Sequence, residues 1–317
     1  MRHATSASAA TRSPRFQNSR WPGSTVVNVI GHVVSPGLID VHRHGMATSD
    51  LILKARVGVT TALELERGAF PVDRWYAWMA GRSPVNYGAT VSHRRVRIGT
   101  FRHDAPMDDH HDPMAALAAT TPRARPPEVR TMEQAVRLGL EEGALGIGFG
   151  IEYTPHADAA ELEALFRIAA EHKVPAFVHT RASGLAGIEE AVRIAQNTGA
   201  ALHLFHIGSS GLYEVPRILA YLDARRAAGQ DVTTEVYPYT AGSTRLESAY
   251  FSDGWQEALA KMTILPARRL DHVPAMRRKG HIAVGADADL TVFNPGTVSD
   301  RATFENPTTS RWPRRRG

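Results

Sequence analysis

The stretch PGLIDVHRHG, residues 36–45, joins a short apolar run to two histidines that lie two residues apart. In a β-strand, side chains two residues apart point to the same side. We therefore expect His42 and His44 to project together from the C-terminal end of a strand over residues 38–44. Two neutral imidazoles in such a position form half of a divalent metal site.

The same placement recurs further along the chain. His179 and His206 each follow a short apolar run, and Glu64 and Glu66 end the apolar run 57–65. The C-terminal ends of barrel strands meet at one face, so these side chains are expected to converge there. The alternative is a set of unrelated polar strand ends, in a chain that has 15 histidines. The regular placement favours a metal site.

Short apolar runs alternate with amphipathic helical patterns from residue 26 onward, which is typical of a parallel sheet or barrel. The predicted strands are 38–44, 57–66, 89–98, 145–152, 174–179, 201–207 and 232–237, and the predicted helices are 131–142, 158–172, 188–197 and 213–228. No convincing buried strand lies between residues 239 and 270, where a closed barrel needs its eighth. The predicted fold class is therefore α/β, an incomplete (β/α)8 TIM-type barrel.

The two ends of this pattern have β character of their own. Residues 26–34, and a hairpin over 280–293 with its turn at 285–287, are expected to pair into a small accessory β-module. The predicted units are a disordered basic N-terminus (1–25), the accessory β-module (26–36 and 280–305), the barrel (37–270) and a disordered basic tail (306–317).

Composition excludes several classes of protein. The chain has 317 residues, 43% of them hydrophobic, which is enough for a globular core. It has no cysteine, which excludes disulfides and thiolate metal sites. The net charge of +5 comes from eight arginines near the two ends, and the remaining 29 bases face 32 acids, so no nucleic-acid partner is expected. No signal peptide or membrane span is predicted, so a cytoplasmic location without membrane partners is expected.

Taken together, the motifs resemble the amidohydrolase superfamily, and more narrowly the N-acyl-D-amino-acid deacylases of the D-aminoacylase type. The matching stretches are PGLIDVHRHG (36–45), GALGIGFGIEYTP (143–155), FVHTR (177–181), HLFHIGSSG (203–211), TTEVYPYTAGST (233–244) and GADADLTVFNP (285–295). The resemblance covers residues 30–305. It implies a metal-dependent hydrolase that cleaves the linear amide C–N bond of a small N-acyl amino acid with a metal-activated water. A homo-oligomer is compatible with it.

The resemblance also implies which residues hold the metal. Carried over position by position, the ligands are His42, His44, Glu66, His179 and His206. The deacylases often have a cysteine at the end of the second barrel strand, and Glu66 is our choice for that role, with Glu64 second. The implied cofactor is zinc, as one or two divalent ions.

The family resemblance also implies candidates for the substrate contacts and the general base. Tyr153 and Arg181 fall where the family contacts substrate, although packing or a surface ion pair would also explain them. The family's base is an aspartate on the eighth strand, and Asp253 superficially matches it. Asp253 follows Tyr237 too closely for a helix and a strand to fit between them, so a loop residue is the better interpretation of Asp253. We therefore expect an internal deletion near residues 256–261.

Two other hypotheses about the function are also compatible with the sequence. Cyclic amidases such as dihydropyrimidinases and hydantoinases share the first-strand histidine pair, but they commonly carry a carboxylated lysine on a barrel strand. None of the four lysines, Lys54, Lys173, Lys261 and Lys279, lies at a predicted strand end. The third reading is a catalytically impaired amidohydrolase remnant, which predicts marginal stability and no turnover.

Overall fold

A computed structural model describes residues 28–44, 46–102, 122–236 and 255–294. Asp253, the predicted base, and Tyr237 lie outside these ranges. No helix in the described ranges is both long and apolar enough to cross a membrane.

Nine strands form two sheets in the described part of the chain. They are β1 (Val33–Pro36), β2 (Leu38–Asp40), β3 (Val59–Ala69), β4 (Asn86–Ser92), β5 (Ile147–Gly150), β6 (Ala176–His179), β7 (Leu202–Leu204), β8 (Val232–Thr234) and β9 (Leu290–Phe293). Strands β2 to β8 form one parallel sheet in chain order, and β1 pairs with β9. The seven-stranded curled sheet confirms the prediction of an incomplete TIM-type barrel.

Helices lie between consecutive strands of the large sheet, as parallel connections require. Those described are α1 (Thr48–Arg56), α2 (Val72–Met79), α3 (His93–Phe101), α4 (Pro126–Glu141), α5 (Ala159–Glu171), α6 (Leu185–Thr198), α7 (Ile207–Gly211), α8 (Val215–Ala227), α9 (Trp255–Met262) and α10 (Ile264–Arg269). Short 3₁₀ turns lie at Ile151–Tyr153, Leu212–Glu214 and Met276–Arg278.

One predicted strand was wrong over half its length. The strand expected at 89–98 ends at Ser92, and residues from His93 onward form α3. The hydroxyl of Ser92 accepts a hydrogen bond from the backbone N–H of Arg95, which caps the helix. The apolar residues of the predicted strand also change sides, from odd positions (Ala89, Val91) to even positions (Val96, Ile98), so residues 89–98 do not keep the alternation of one strand.

Strand alternation divides the buried residues between two cores. On β6, Ala176 and Val178 face the helices, whereas Phe177 belongs to a second cluster with Leu63 and Phe205. Because β3, β6 and β7 supply this second cluster, it fills the interior of the curled sheet. The interior is therefore a packed core below the C-terminal strand ends.

The segment from α10 onward closes the N-terminal end of that interior. Leu270 and Met276 are fully buried and pack in the same cluster as Phe177. The imidazole of His272 lies 3.0 Å from the carbonyl oxygen of Leu145, just before β5. Among the described residues, this segment covers the N-terminal ends of the strands, opposite the ends at which barrel sites are built.

The accessory sheet consists of β1 and β9, with Val34 opposite Val292. The predicted hairpin over 280–293 is not formed, because residues 280–289 make no strand. The buried ammonium of Lys279 instead donates hydrogen bonds to Asp287 and Asp289, which folds this segment back as a loop. Strand β9 therefore takes its partner from the other end of the described chain.

Candidate metal centre

The C-terminal ends of four strands bring the proposed ligands to one place. His42 and His44 follow β2, Glu66 lies in β3, and His179 is the last residue of β6. His206 follows β7 by two residues. This is the end of a parallel barrel at which active sites are built.

Four imidazoles and one carboxylate are in contact here. Nε2 of His42 contacts Oε2 of Glu66 and lies 3.1 Å from Nε2 of His44. Nδ1 of His179 lies 2.8 Å from Oε1 of Glu66 and 3.0 Å from Nε2 of His206. The rings of His42 and His206 are 5.2 Å apart between their centroids. The structure thus brings together all five residues that the sequence proposed as ligands.

Each of the four imidazoles has a second partner on its other nitrogen. The partners are Glu235 for His42 (3.0 Å), Glu64 for His44 (3.1 Å), Glu152 for His179 (2.6 Å) and Ser210 for His206 (2.9 Å). An ionised carboxylate only accepts hydrogen bonds, so it holds a proton on the nitrogen that faces it. When the imidazole is neutral, its other nitrogen, on the side that faces Glu66, carries the lone pair that a metal ion would take. Outer partners of this kind are typical of metal-ligating histidines.

The charges within the cluster shift its pKa values. Burial lowers the pKa of His42, but hydrogen bonds to Glu235 and Glu66 outweigh burial and raise it to about 10. Burial also lowers the pKa of His44, and hydrogen bonds to Glu64 and Glu66 raise it to about 8. Burial raises the pKa of Glu66, but hydrogen bonds from His179, His42 and His44 hold it well below its usual range. Glu66 is therefore ionised, as a metal-ligating carboxylate has to be.

Local backbone irregularity places Glu66 in the centre. The pairing of β3 with β4 shifts register between Glu64 and Ala69, and Gly68 has a φ of +65° that other residues rarely adopt. A Cβ on Gly148 of β5 would lie 2.6 Å from the carbonyl oxygen of Glu66. Glycine at this position therefore allows β5 to approach β3 closely beside the carboxylate.

His206 adopts a backbone conformation that is rare for residues other than glycine, with a φ of +35°. Its N–H donates a hydrogen bond of 2.7 Å to Oε1 of Glu235, and its carbonyl oxygen accepts from the N–H of Ser210 at 3.0 Å. These bonds hold the residue where the chain leaves β7. The strained backbone turns the imidazole towards Glu66 and His179.

Sequence reasoning missed three residues that contact the cluster, namely Glu152, Ser210 and Glu235. Glu235 directly follows β8, but the predicted strand 232–237 extended beyond it, so the strand-end rule did not identify it. Glu152 lies in the 3₁₀ turn after β5, at the end of the predicted strand 145–152. Ser210 carried no such signal, because its contact depends on helix α7.

The proposed substrate contacts lie beside the cluster. The ring of Tyr153 is 5.2 Å from that of His179 between centroids, and the side chain is partly exposed. Arg181 lines an open pocket with His179, His206 and Glu152. Its guanidinium donates to Glu190 at 3.1 Å and to the carbonyl oxygens of residues 155 and 157, both at 2.7 Å. Its charge is therefore shared with an internal carboxylate.

The donor set fits a divalent transition metal. Imidazole nitrogen and carboxylate oxygen are ligands that such ions prefer. With bond lengths of 2.0–2.1 Å, tetrahedral ligands lie about 3.3 Å from one another. Separations between donor atoms of the five residues include 3.0, 3.1, 3.2 and 3.9 Å. Three of them, His42, Glu66 and His206, offer donor atoms that all lie within 4.8 Å of each other.

In the described ranges, a curled parallel sheet thus carries a cluster of imidazole and carboxylate donors at the C-terminal ends of its strands, the place at which (β/α) barrels build their active sites. Among curated proteins, the chain is similar to N-acyl-D-glutamate deacylase of Alcaligenes xylosoxydans xylosoxydans, with 25% identity over 92% of this chain and 83% of the relative. It is also similar to D-aminoacylase of the same organism, with 28% identity over 80% of this chain and 58% of that relative's length. No family model matches the chain.

Solved structures have the same fold. A crystal structure of N-acyl-D-glutamate deacylase from Bordetella bronchiseptica, in complex with zinc and a phosphonate inhibitor, superimposes with a TM-score of 0.71 at 23% identity, covering 88% of this chain and 83% of that one. A crystal structure of D-aminoacylase gives a TM-score of 0.68 at 21% identity, covering 89% and 83%. The resemblance to amidohydrolases of the D-aminoacylase type is thus confirmed over most of the chain.

The relatives contain segments that this chain lacks. The alignment with N-acyl-D-glutamate deacylase runs over 424 positions, whereas this chain has only 317 residues. At least 107 aligned positions therefore have no counterpart here, which is the difference between those two numbers.

Proposed function

We propose that this protein is a metal-dependent hydrolase that cleaves the linear amide C–N bond of N-acyl-D-amino acids. The observation that carries the proposal is the convergence of four imidazoles on the two oxygens of Glu66. The substrate class is taken from the two curated relatives, which are named as a deacylase of N-acyl-D-glutamate and a D-aminoacylase.

Zinc is the proposed cofactor, held by His42, His44, Glu66, His179 and His206. When bound, it would lower the pKa of a coordinated water and polarise the scissile carbonyl. The two oxygens of Glu66 face different histidines, since Oε1 contacts His179 and Oε2 contacts His42 and His44. The ligand set can therefore hold one ion or two.

Tyr153 and Arg181 are proposed to contact the substrate. The phenol of Tyr153 stands beside His179 at the open end, where a bound acyl amino acid has to lie. Arg181 holds the backbone of residues 155 and 157, so its first effect is to fix the loop that follows Tyr153. Replacement of Arg181 should therefore change substrate affinity partly by altering the position of Tyr153.

Asp253, which lies outside the described ranges, is kept only as the weaker candidate for the general base, because the family's aspartate would be lost together with the eighth strand. We propose further that the segment carrying the family's eighth barrel strand has been deleted near residues 256–261, where α9 now lies. In support, the aligned relative has many positions without counterpart in this chain. The deletion is tested by comparing the gene at codons 256–261 with the same region of the gene in closely related organisms. An inserted segment in those genes would support it.

The cyclic amidases are a weaker alternative. A D-hydantoinase shares the fold, with a TM-score of 0.58 at 15% identity. Two of the four lysines are committed elsewhere, because Lys54 pairs with Asp40 and Lys279 pairs with Asp287 and Asp289. Neither lysine contacts the five proposed ligands.

We also propose a cytoplasmic location and a small-molecule substrate, without nucleic-acid or membrane partners.

The decisive experiment combines metal analysis with hydrolysis assays on the purified chain. We expect zinc at one or two equivalents and turnover of N-acetyl-D-amino acids, with D-glutamate and D-leucine derivatives as the first substrates. Their L-enantiomers and dihydrouracil serve as controls. Bound zinc with no turnover on any amide would instead identify an impaired remnant, and turnover of dihydrouracil alone would favour the cyclic amidase.

A further inference from the structure

We propose that Glu235 is a positioning residue whose single carboxylate oxygen aligns two metal ligands at once. It rests on the proposed metal centre but goes beyond the ligand set. Oε1 of Glu235 lies 3.0 Å from Nδ1 of His42 and 2.7 Å from the backbone nitrogen of His206. It thereby joins residues that follow β2 and β7, the first and sixth strands of the large sheet.

The backbone of Glu235 is itself held firmly. Its N–H donates to the carbonyl oxygen of Leu204 at 3.2 Å, and its carbonyl oxygen accepts from the N–H of Ile207 at 3.3 Å. These two bonds continue the pairing of β7 with β8 beyond the last strand residue. The carboxylate therefore projects from a fixed point and not from a mobile loop.

The first effect of this carboxylate is on His42. Because Oε1 accepts the Nδ1 proton, Nε2 is the nitrogen that points to Glu66 and His44. Without the acceptor, the imidazole can rotate or exchange tautomers, and its lone pair no longer has a fixed direction. Loss of such an outer partner typically weakens metal affinity about 10–100-fold.

The second effect is on the strained backbone of His206. With a φ of +35°, this residue depends on its surroundings to keep its conformation. The N–H that bonds to Glu235 lies on the residue that presents Nε2 to the centre. Removing the carboxylate should release this N–H and move the imidazole with the backbone.

The test measures zinc affinity and backbone protection in the full-length chain. Zinc dissociation constants are obtained by competition with a chromophoric chelator, and hydrogen exchange of the His206 amide is followed in the metal-free protein. We expect Glu235→Ala to weaken zinc binding about 10–100-fold and to accelerate exchange at His206. Glu235→Gln, which keeps an acceptor oxygen, should restore most of both.

The control is Glu189→Ala, which removes an exposed carboxylate on α6 and should leave both readouts unchanged. If the alanine variant fails to fold, Glu235→Met keeps the side-chain length without its oxygens and serves in its place. Wild-type zinc affinity in Glu235→Ala, or in Glu235→Met where that variant replaces it, would overturn the proposal, as would an equal loss in Glu189→Ala.

The two proposals fail in different ways. A wild-type chain that binds zinc without hydrolysing any amide would refute the proposed function and leave the role of Glu235 intact. A wild-type chain that binds no zinc would refute the proposed centre, while exchange at His206 would still report whether Glu235 holds that backbone.

Discussion

Oε1 of Glu66 lies 2.8 Å from Nδ1 of His179, although 113 positions of sequence separate the two residues. The other oxygen of the same carboxylate contacts His42 and lies 3.2 Å from Nε2 of His44. One side chain of β3 thus touches histidines from both halves of the curled sheet. Its position makes Glu66 the most informative residue to replace.

Replacement of Glu66 should abolish the metal site. Glu66→Ala removes the carboxylate that contacts both groups of histidines, so we expect a loss of zinc affinity larger than the about 10–100-fold typical of outer partners. Zinc content by atomic emission measures it. Glu64→Gln is the matched control, because Glu64 contacts the cluster through His44, and a smaller loss is expected. Full zinc content in Glu66→Ala would contradict the assignment.

His179→Ala and His206→Ala should each lose zinc and turnover together. Both imidazoles contact Glu66. We expect that neither can take the place of the other as a ligand. His172→Ala, an exposed histidine at the end of α5, is the control and should keep both. Retention of zinc in both active-site variants would place the metal elsewhere.

Replacement of Asp253 tests the general base. If this aspartate carries the proton, Asp253→Asn should lower kcat about 10²–10⁴-fold while zinc content stays unchanged. The measurement is a steady-state assay alongside metal analysis. An unchanged kcat would show that Asp253 is a loop residue and that another group moves the proton.

The buried pair of Glu161 and Arg97 should make stability depend on pH. Burial raises the pKa of Glu161, but a hydrogen bond from His93 and the charge of Arg97 outweigh it and lower the pKa below its usual value of 4.5. A lowered folded-state pKa contributes stability above 4.5 that is lost as the pH falls through the folded value. Glu161→Gln removes the charge of the buried carboxylate that contacts both Arg97 and His93, and should cost about 3–5 kcal/mol at pH 7.

Urea denaturation at several pH values measures this effect. The difference in unfolding free energy between wild type and Glu161→Gln should be largest near neutral pH and shrink below about pH 4.5. Glu163→Gln, on the same helix and paired with Arg167 at 3.3 Å, should cost less than about 1 kcal/mol. A difference that does not change with pH would mean that Glu161 contributes by packing alone.

The seal at the N-terminal end of the curled sheet should be needed for stability. Leu270 is fully buried against the interior cluster, so Leu270→Ala should cost about 2–5 kcal/mol. Leu265→Ala, on the neighbouring α10 and 47% exposed, should cost far less. Thermal or urea unfolding of the two variants compares them, and equal losses would mean that the seal is not part of the cooperative core.

Much of the centre could be predicted because strand ends are visible in a sequence. His42, His44, Glu66, His179 and His206 each follow or end an apolar run, and parallel strands deliver their C-terminal ends to one face. Glu235 also follows a strand, but only the structure shows that this strand ends at Thr234 and not at residue 237. Such rules name the candidates, but they give neither a distance nor a tautomer.

The sequence by itself determined the parallel α/β architecture, the strand ends that carry the candidate ligands and the absence of thiolate chemistry, because these follow from local periodicity and composition. Only the tertiary structure decided that residues 280–289 form no strand beside β9, that α3 begins at His93 and that Glu235 reaches both His42 and His206. Contacts of this kind join residues far apart in the chain. They depend on backbone irregularities such as the φ of His206, which local pattern does not encode.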